Sequence, residues 1–174
     1  MSVEKNSEHS VSVVPLQVET LSDERFKPFG QVIRAREDGE PFGPTDAQLT
    51  LDRGIPRFYI MKLRSRGLAF NQITRHRQVT QCLAAVGDTS WYIAVAAPGN
   101  VDDPDYRPKV GDIQAFRIPG DVAVKFHVGT WHAGPFFEED EISFLNLELA
   151  DTNMVDHQSC NLDQDYGVTM RFQA

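Results

Sequence analysis

Two stretches of the chain gather side chains that can hold a proton or a cation: QITRHRQVTQ, residues 72–81, and KFHVGTWHAGP, residues 125–135. Each sets imidazoles inside an otherwise β-like run, and each is interrupted by a short turn. Side chains alternate faces along a strand, so Thr74 and His76 share a face, while Gln81, an odd number of residues further on, cannot share it along one unbroken strand. A turn through Arg77 and Gln78 removes the conflict. Thr74 and His76 then end one strand, and Gln81 and Leu83 begin the next, all able to point inward. The second stretch repeats the arrangement, with Lys125 and His127 on one face, a turn at Gly129 and Thr130, and His132 opening the return strand. Two such turns at one mouth of a barrel bring His76, Gln81, His127 and His132 together. Convergent imidazole nitrogens and a carbonyl oxygen are what a first-row divalent metal takes.

On this reading His76, Gln81 and His132 are the candidate metal ligands, against the plainer alternatives of satisfied core histidines and a glutamine that ties up backbone groups. His127 is the candidate general base, since imidazole exchanges protons near neutrality, and Lys125 beside it is the second catalytic candidate. Their alternatives are a hydrogen bond across the turn for His127 and a solvated rim charge for Lys125. Arg57 and Arg75 are the candidates for gripping a substrate carboxylate, because a guanidinium donates two parallel hydrogen bonds to it. If His76 faces inward, alternation turns Arg75 outward, so Arg75 reaches the pocket only through a bulge or a dimer contact. Trp131, in the turn between the histidines, either lids the pocket or plugs the barrel end.

Placing these groups requires strands. RFYIMKL, LAFNQITRH, TQCLAAV, SWYIAVAA, DIQAFRI, DVAVKFHV and EISFLNLEL are rich in β-branched and aromatic residues and are separated by turn signals. With no helical pattern of 10 to 15 residues between them, they predict an antiparallel barrel or sandwich rather than an α/β sheet. The 174 residues suit one domain, expected over residues 13–174, with a polar tail at 1–12. In SDERFKPFG, Ser22 is expected to cap a short helix that Gly30 closes. The segment DHQSCNLDQDYGVTMRFQA shows no clear pattern and is expected to pack on the outside. Net charge is −8 with scattered lysines and arginines, which disfavours nucleic acid, and no apolar run approaches the ~20 residues that span a bilayer. Cys82 and Cys160 have no metal-type spacing and the first residues lack a secretory core, so reduced thiols in the cytoplasm are expected.

The segments T74-R-H76-R-Q-V-T-Q81 and H127-V-G129-T-W-H132 resemble the paired motifs of the cupin superfamily, and this implies a jelly-roll, or double-stranded β-helix, fold. Within that superfamily the chain resembles the ureidoglycolate lyase family, long called ureidoglycolate hydrolase. The likeness runs through PLQVETLSDERFKPFGQVI, IPRFYIMKL, RHRQVTQ, IQAF, KFHVGTWH and FLNLELAD. It implies cleavage of ureidoglycolate to urea and glyoxylate, an arginine at position 57 that holds the carboxylate, a divalent ion such as Ni, Mn or Zn, and a homodimer. Thr74 stands where the family commonly has an acidic residue, and Gln81 is a neutral donor, so an ion here is held less tightly than by three histidines and a glutamate. The competing expectations are a cupin that binds a small carboxylate ligand without catalysis, and a different metal-cupin reaction.

Overall fold

A computed structural model describes residues 10–173. The first strand, β1 (Ser12–Thr20), is followed by α1 (Asp23–Phe26), β2 (Gly30–Ile33), β3 (Pro56–Arg64), β4 (Ala69–Phe70), β5 (Gln72–Arg75), β6 (Gln81–Ala85) and β7 (Trp91–Ala96). After a 3₁₀ turn come β8 (Gln114–Ile118), β9 (Ala123–Phe126), β10 (Trp131–Phe136) and β11 (Glu141–Leu149). The chain then runs through α2 (Thr152–Val155), β12 (Gln158–Asn161), α3 (Leu162–Tyr166) and β13 (Val168–Gln173). Most of the expected tail, residues 1–9, lies outside the described residues, and strand structure already begins at Ser12.

The strands form an eight-stranded sheet in the order β12-β5-β10-β7-β8-β1-β13-β4 and a five-stranded sheet in the order β2-β9-β6-β11-β3. This is the all-β jelly roll that the resemblance implies, and it agrees with the antiparallel barrel or sandwich expected from the strand pattern. Two pairings are not antiparallel: β1 lies parallel to both β8 and β13. No hairpin links β1 to either neighbour, so no tight turn dictates its direction. The C-terminal segment does not merely pack on the outside: it supplies β12 at one edge of the large sheet and β13 between β1 and β4. Among the described residues, no helix is long and apolar enough to cross a membrane.

Strand β7 explains the layering. All six of its residues, WYIAVA, are buried, because both of its faces are covered. Trp91, Ile93 and Val95 pack with Phe116, Leu83, Val124 and Phe144 between the sheets, while Tyr92, Ala94 and Ala96 join a second cluster with Ile73, Trp131, Cys160 and Leu162. Cys160 thus fills a packing position.

Helix α1 starts as expected, with the Ser22 hydroxyl accepting from the Arg25 amide at 3.3 Å. Gly30 does not close it. The helix ends at Phe26, and Gly30 opens β2, where a Cβ would press into the Lys125 carbonyl of β9. That close approach requires glycine.

Lys125 and His127 correct the sequence reading. They do share a face, but it is the outer face of the five-stranded sheet, since Val124 and Phe126 take the inner positions of β9. His127 donates from Nε2 to the Lys27 carbonyl at 3.0 Å, which leaves Nδ1 to accept from Lys125 Nζ at 3.0 Å. Burial lowers the affinity of both groups for a proton, and Lys125 lowers that of His127 further. Cys82, paired with Lys125 across the strands, is likewise pushed up to about 11 by burial and is no nucleophile at neutral pH.

Two outcomes follow from this packing. Gly30→Ala will lower unfolding stability by about 1–3 kcal/mol in urea titration, because the β2–β9 backbones must separate. His127 binds a proton more weakly folded than unfolded, so its contribution is complete above the unfolded value of 6.5 and is lost as pH falls below it. The urea midpoint of the unaltered protein will therefore drop more between about pH 7.5 and pH 5.5 than that of His127→Gln; equal drops contradict the assignment.

Candidate active site

Between the two sheets lies a cavity of about 510 Å³. Strands β3, β6 and β11 wall it on one side, and β4, β5 and β10 on the other. Thr74, His76, Gln81 and His132 all line it, so the first predicted turn and the return strand of the second do meet at one place. The meeting is covalently short-range on neither side, and backbone hydrogen bonds hold it. The Gly129 amide donates to the His76 carbonyl at 2.6 Å, tying turn to turn. Gly129 has a φ of +84°, a left-handed conformation that suits glycine. The Thr130 hydroxyl donates to the Phe29 carbonyl at 2.7 Å and fixes the second turn against the segment before β2.

The first turn is held by Asp156. Its carboxylate accepts from the amides of Arg77 at 2.7 Å and Gln78 at 2.9 Å, and its backbone carbonyl lies 2.6 Å from His76 Nδ1. A carbonyl can only accept, so His76 carries a proton on Nδ1, and in its neutral form the lone pair is on Nε2. His132 is fixed likewise, with Nδ1 at 3.1 Å from the Thr130 carbonyl. The two imidazole centroids lie 5.2 Å apart, and His132 stacks on Phe126 at 4.9 Å with ring planes 4° apart. Burial, and secondarily His76, pushes His132 down to about 3, so it is neutral at working pH.

Gln81 completes this end. Its Nε2 donates to Asn146 Oδ1 at 3.1 Å and to Glu148 Oε2 at 3.2 Å, which uses both amide protons. Asn146 donates to the Tyr59 hydroxyl at 3.0 Å, and Tyr59 donates to Glu148 Oε1 at 3.1 Å, closing a four-residue ring. Asn153 adds a donor to Glu148 Oε1 at 3.4 Å. The Gln81 Oε1 is buried with no partner. An amide and two imidazoles thus line this end of the cavity with the Gln81 oxygen and both Nε2 atoms outside the recorded hydrogen bonds, side-chain types that suit a divalent cation. Among the described residues, no three His, Cys, Asp or Glu side chains are grouped to hold one.

The other predicted site residues lie elsewhere. Arg75 is fully buried on the far side of β5, as alternation requires once Thr74 and His76 face inward. Its guanidinium donates to Gln158 and to the carbonyls of Pro98, Asn100 and Asp103, and it lies 4.8 Å from the Trp131 ring centroid. Arg75 thus clamps a loop, and Trp131 is core packing; neither lines the cavity. Lys125 and His127 are cut off from it by the sheet. Arg57 does not line the cavity; it is exposed, its guanidinium carbon 3.7 Å from the centroid of Tyr59, which does.

Sequence reasoning missed Tyr59, Asn146, Glu148 and His157, all cavity residues. A signal existed for two of them: in FLNLEL, Asn146 and Glu148 sit two apart, alternating with leucines in a run that is otherwise apolar. His157 lies 5.8 Å from the His76 ring, and burial, with His76 second, lowers its proton affinity.

A family model described as ureidoglycolate lyase matches residues 13–169. The chain is also 25% identical, over 157 residues, to a ureidoglycolate lyase of Azotobacter vinelandii, an alignment that covers 82% of this chain and 90% of the relative. With cupin-like sheets, a polar cavity between them and a family match over nearly its whole length, the chain belongs to the ureidoglycolate lyase family.

Proposed function

We propose that this chain cleaves ureidoglycolate into urea and glyoxylate. The observation that carries the reading is the convergence of His76, His132 and Gln81 on one end of the cavity, with the Nδ1 of both imidazoles committed to backbone carbonyls and the Gln81 oxygen left without a partner. His76, His132 and Gln81 would hold a divalent ion, Ni, Mn or Zn, which when bound supplies a Lewis acid for the substrate oxygens.

The chain's own residues account for the proton movements. Breaking the carbinolamine C–N bond requires removal of the hydroxyl proton as the aldehyde forms and delivery of a proton to the departing urea nitrogen. His127 cannot reach the substrate. His157 replaces it in this reading, as an imidazole on the cavity wall that is neutral at working pH and so ready to take the hydroxyl proton and pass it to the leaving nitrogen. Arg57, braced on Tyr59, anchors the substrate carboxylate at the rim. Glu148 holds Tyr59, Gln81 and Asn153 in place through its two oxygens.

A second reading, a cupin that binds a small carboxylate without turning it over, is favoured by Thr74. Its hydroxyl is 3.2 Å from Ser159 Oγ, and it brings no carboxylate to the site. We also propose a homodimer, supported by Ile55, Phe58 and Ile60, which stand 75%, 68% and 61% exposed on and beside the edge strand β3. The unpaired thiols of Cys82 and Cys160 support a reducing compartment.

Assay of glyoxylate and urea after incubation with ureidoglycolate, with Ni, Mn or Zn supplied in turn, tests the reading. His76→Ala and His157→Gln will each lower kcat/KM about 100-fold, and Arg57→Gln will raise KM about ten-fold with kcat little changed. Undiminished turnover in His76→Ala, or no glyoxylate under any of the three metals, overturns it.

A further inference from the structure

The cavity is far larger than the proposed substrate needs. Its volume of about 510 Å³ lies in the ~300–1,000 Å³ range of sites that enclose drug-sized ligands, several times what a two-carbon ureido acid fills. The excess has a definite character, because three walls change in the same direction. Along β3 the inward residues run from Tyr59 to Met61 to Leu63, with Asn146 opposite Tyr59 and Ile142 opposite Leu63. Along β10 the wall passes from His132 to Phe136, and along β5 and β4 from Thr74 past Gln72 and Asn71 to Phe70. Four residues of strand span about 13 Å, so the polar end and the apolar end are separate compartments of one cavity.

A cation stands beyond the apolar end. Arg66 lines the cavity with its guanidinium carbon 4.6 Å from the centroid of Phe136, which packs on Phe70 at 5.6 Å. Among the described residues, Arg66 forms no ion pair with a carboxylate, unlike Arg64, whose Nε lies 3.8 Å from Glu141. An unpaired guanidinium resting on an aromatic floor, at the mouth of an apolar channel, matches a carboxylate carried on an apolar body.

We propose that the far compartment is a binding site for an elongated carboxylate, with its apolar chain along Leu63, Phe70 and Phe136 and its carboxylate on Arg66. The ligands of the whole cavity are then carboxylates with an apolar middle and a polar head. This site is independent of what the polar end cleaves, and its test uses a different ligand and no turnover.

The probes are butyrate, hexanoate and octanoate, titrated calorimetrically into the full chain. Each added methylene will strengthen binding about three- to four-fold, octanol will bind more weakly than octanoate, and Arg66→Gln will weaken octanoate about ten-fold. Because Arg66 is exposed at the surface, its replacement leaves the core untouched. His76→Ala, altered only at the polar end, will bind octanoate as the unaltered protein does. Binding that ignores chain length, survives Arg66→Gln unchanged, or disappears in His76→Ala overturns the proposal. Failure of the ureidoglycolate assay together with retained octanoate binding removes the proposed activity and leaves this site standing.

Discussion

The site depends on where protons are already committed. Both amide protons of Gln81 are spent on Asn146 and Glu148, and the Nδ1 protons of His76 and His132 on the carbonyls of Asp156 and Thr130. What remains uncommitted on these three cavity-lining side chains is lone pairs. A buried acceptor left without a partner costs about 1–3 kcal/mol, and a ligand that supplies a cation or an N–H recovers it. The protein therefore carries a polar end prepared for a positive or proton-donating guest, and the ring through Tyr59 prevents Gln81 from turning to satisfy itself.

That arrangement is imposed by hydrogen bonds that tie the two turns to each other and to the chain around them. Asp156 ties down the turn after β5, Gly129 joins it to the turn after β9, and Thr130 fixes the second turn to the segment that opens β2. Histidines separated widely in sequence become neighbours because their strands, β5 and β10, pair directly, with Thr74 opposite His132. The same two sheets separate the cavity from the Lys125–His127 pair, so two imidazoles five residues apart end on opposite sides of one wall.

This divides what the sequence discloses from what it hides. Alternation states which residues share a face, and it placed Thr74 with His76 and turned Arg75 away. It does not state which face is inner. For β9 the deciding fact is that Phe126 and Val124 fill the space between the sheets, leaving the outer side to Lys125 and His127. A lysine in an apolar strand is legible as unusual, and its burial under an outer covering is not. Glu148 was within reach, since its spacing from Asn146 is the same period-two signal. His157 was not, because it sits between a four-residue helix and a four-residue strand, where no periodicity exists to orient it.

The most direct measurement of the account is the tautomeric state of His76 and His132, read by long-range proton–nitrogen correlation in protein labelled with nitrogen-15 histidine, free of metal and near neutral pH. The account requires pyrrole-type Nδ1 and pyridine-type Nε2 signals for both rings, the state in which each keeps its inward lone pair. A proton on Nε2 of either ring would mean that the cavity is faced by a donor, and would contradict it.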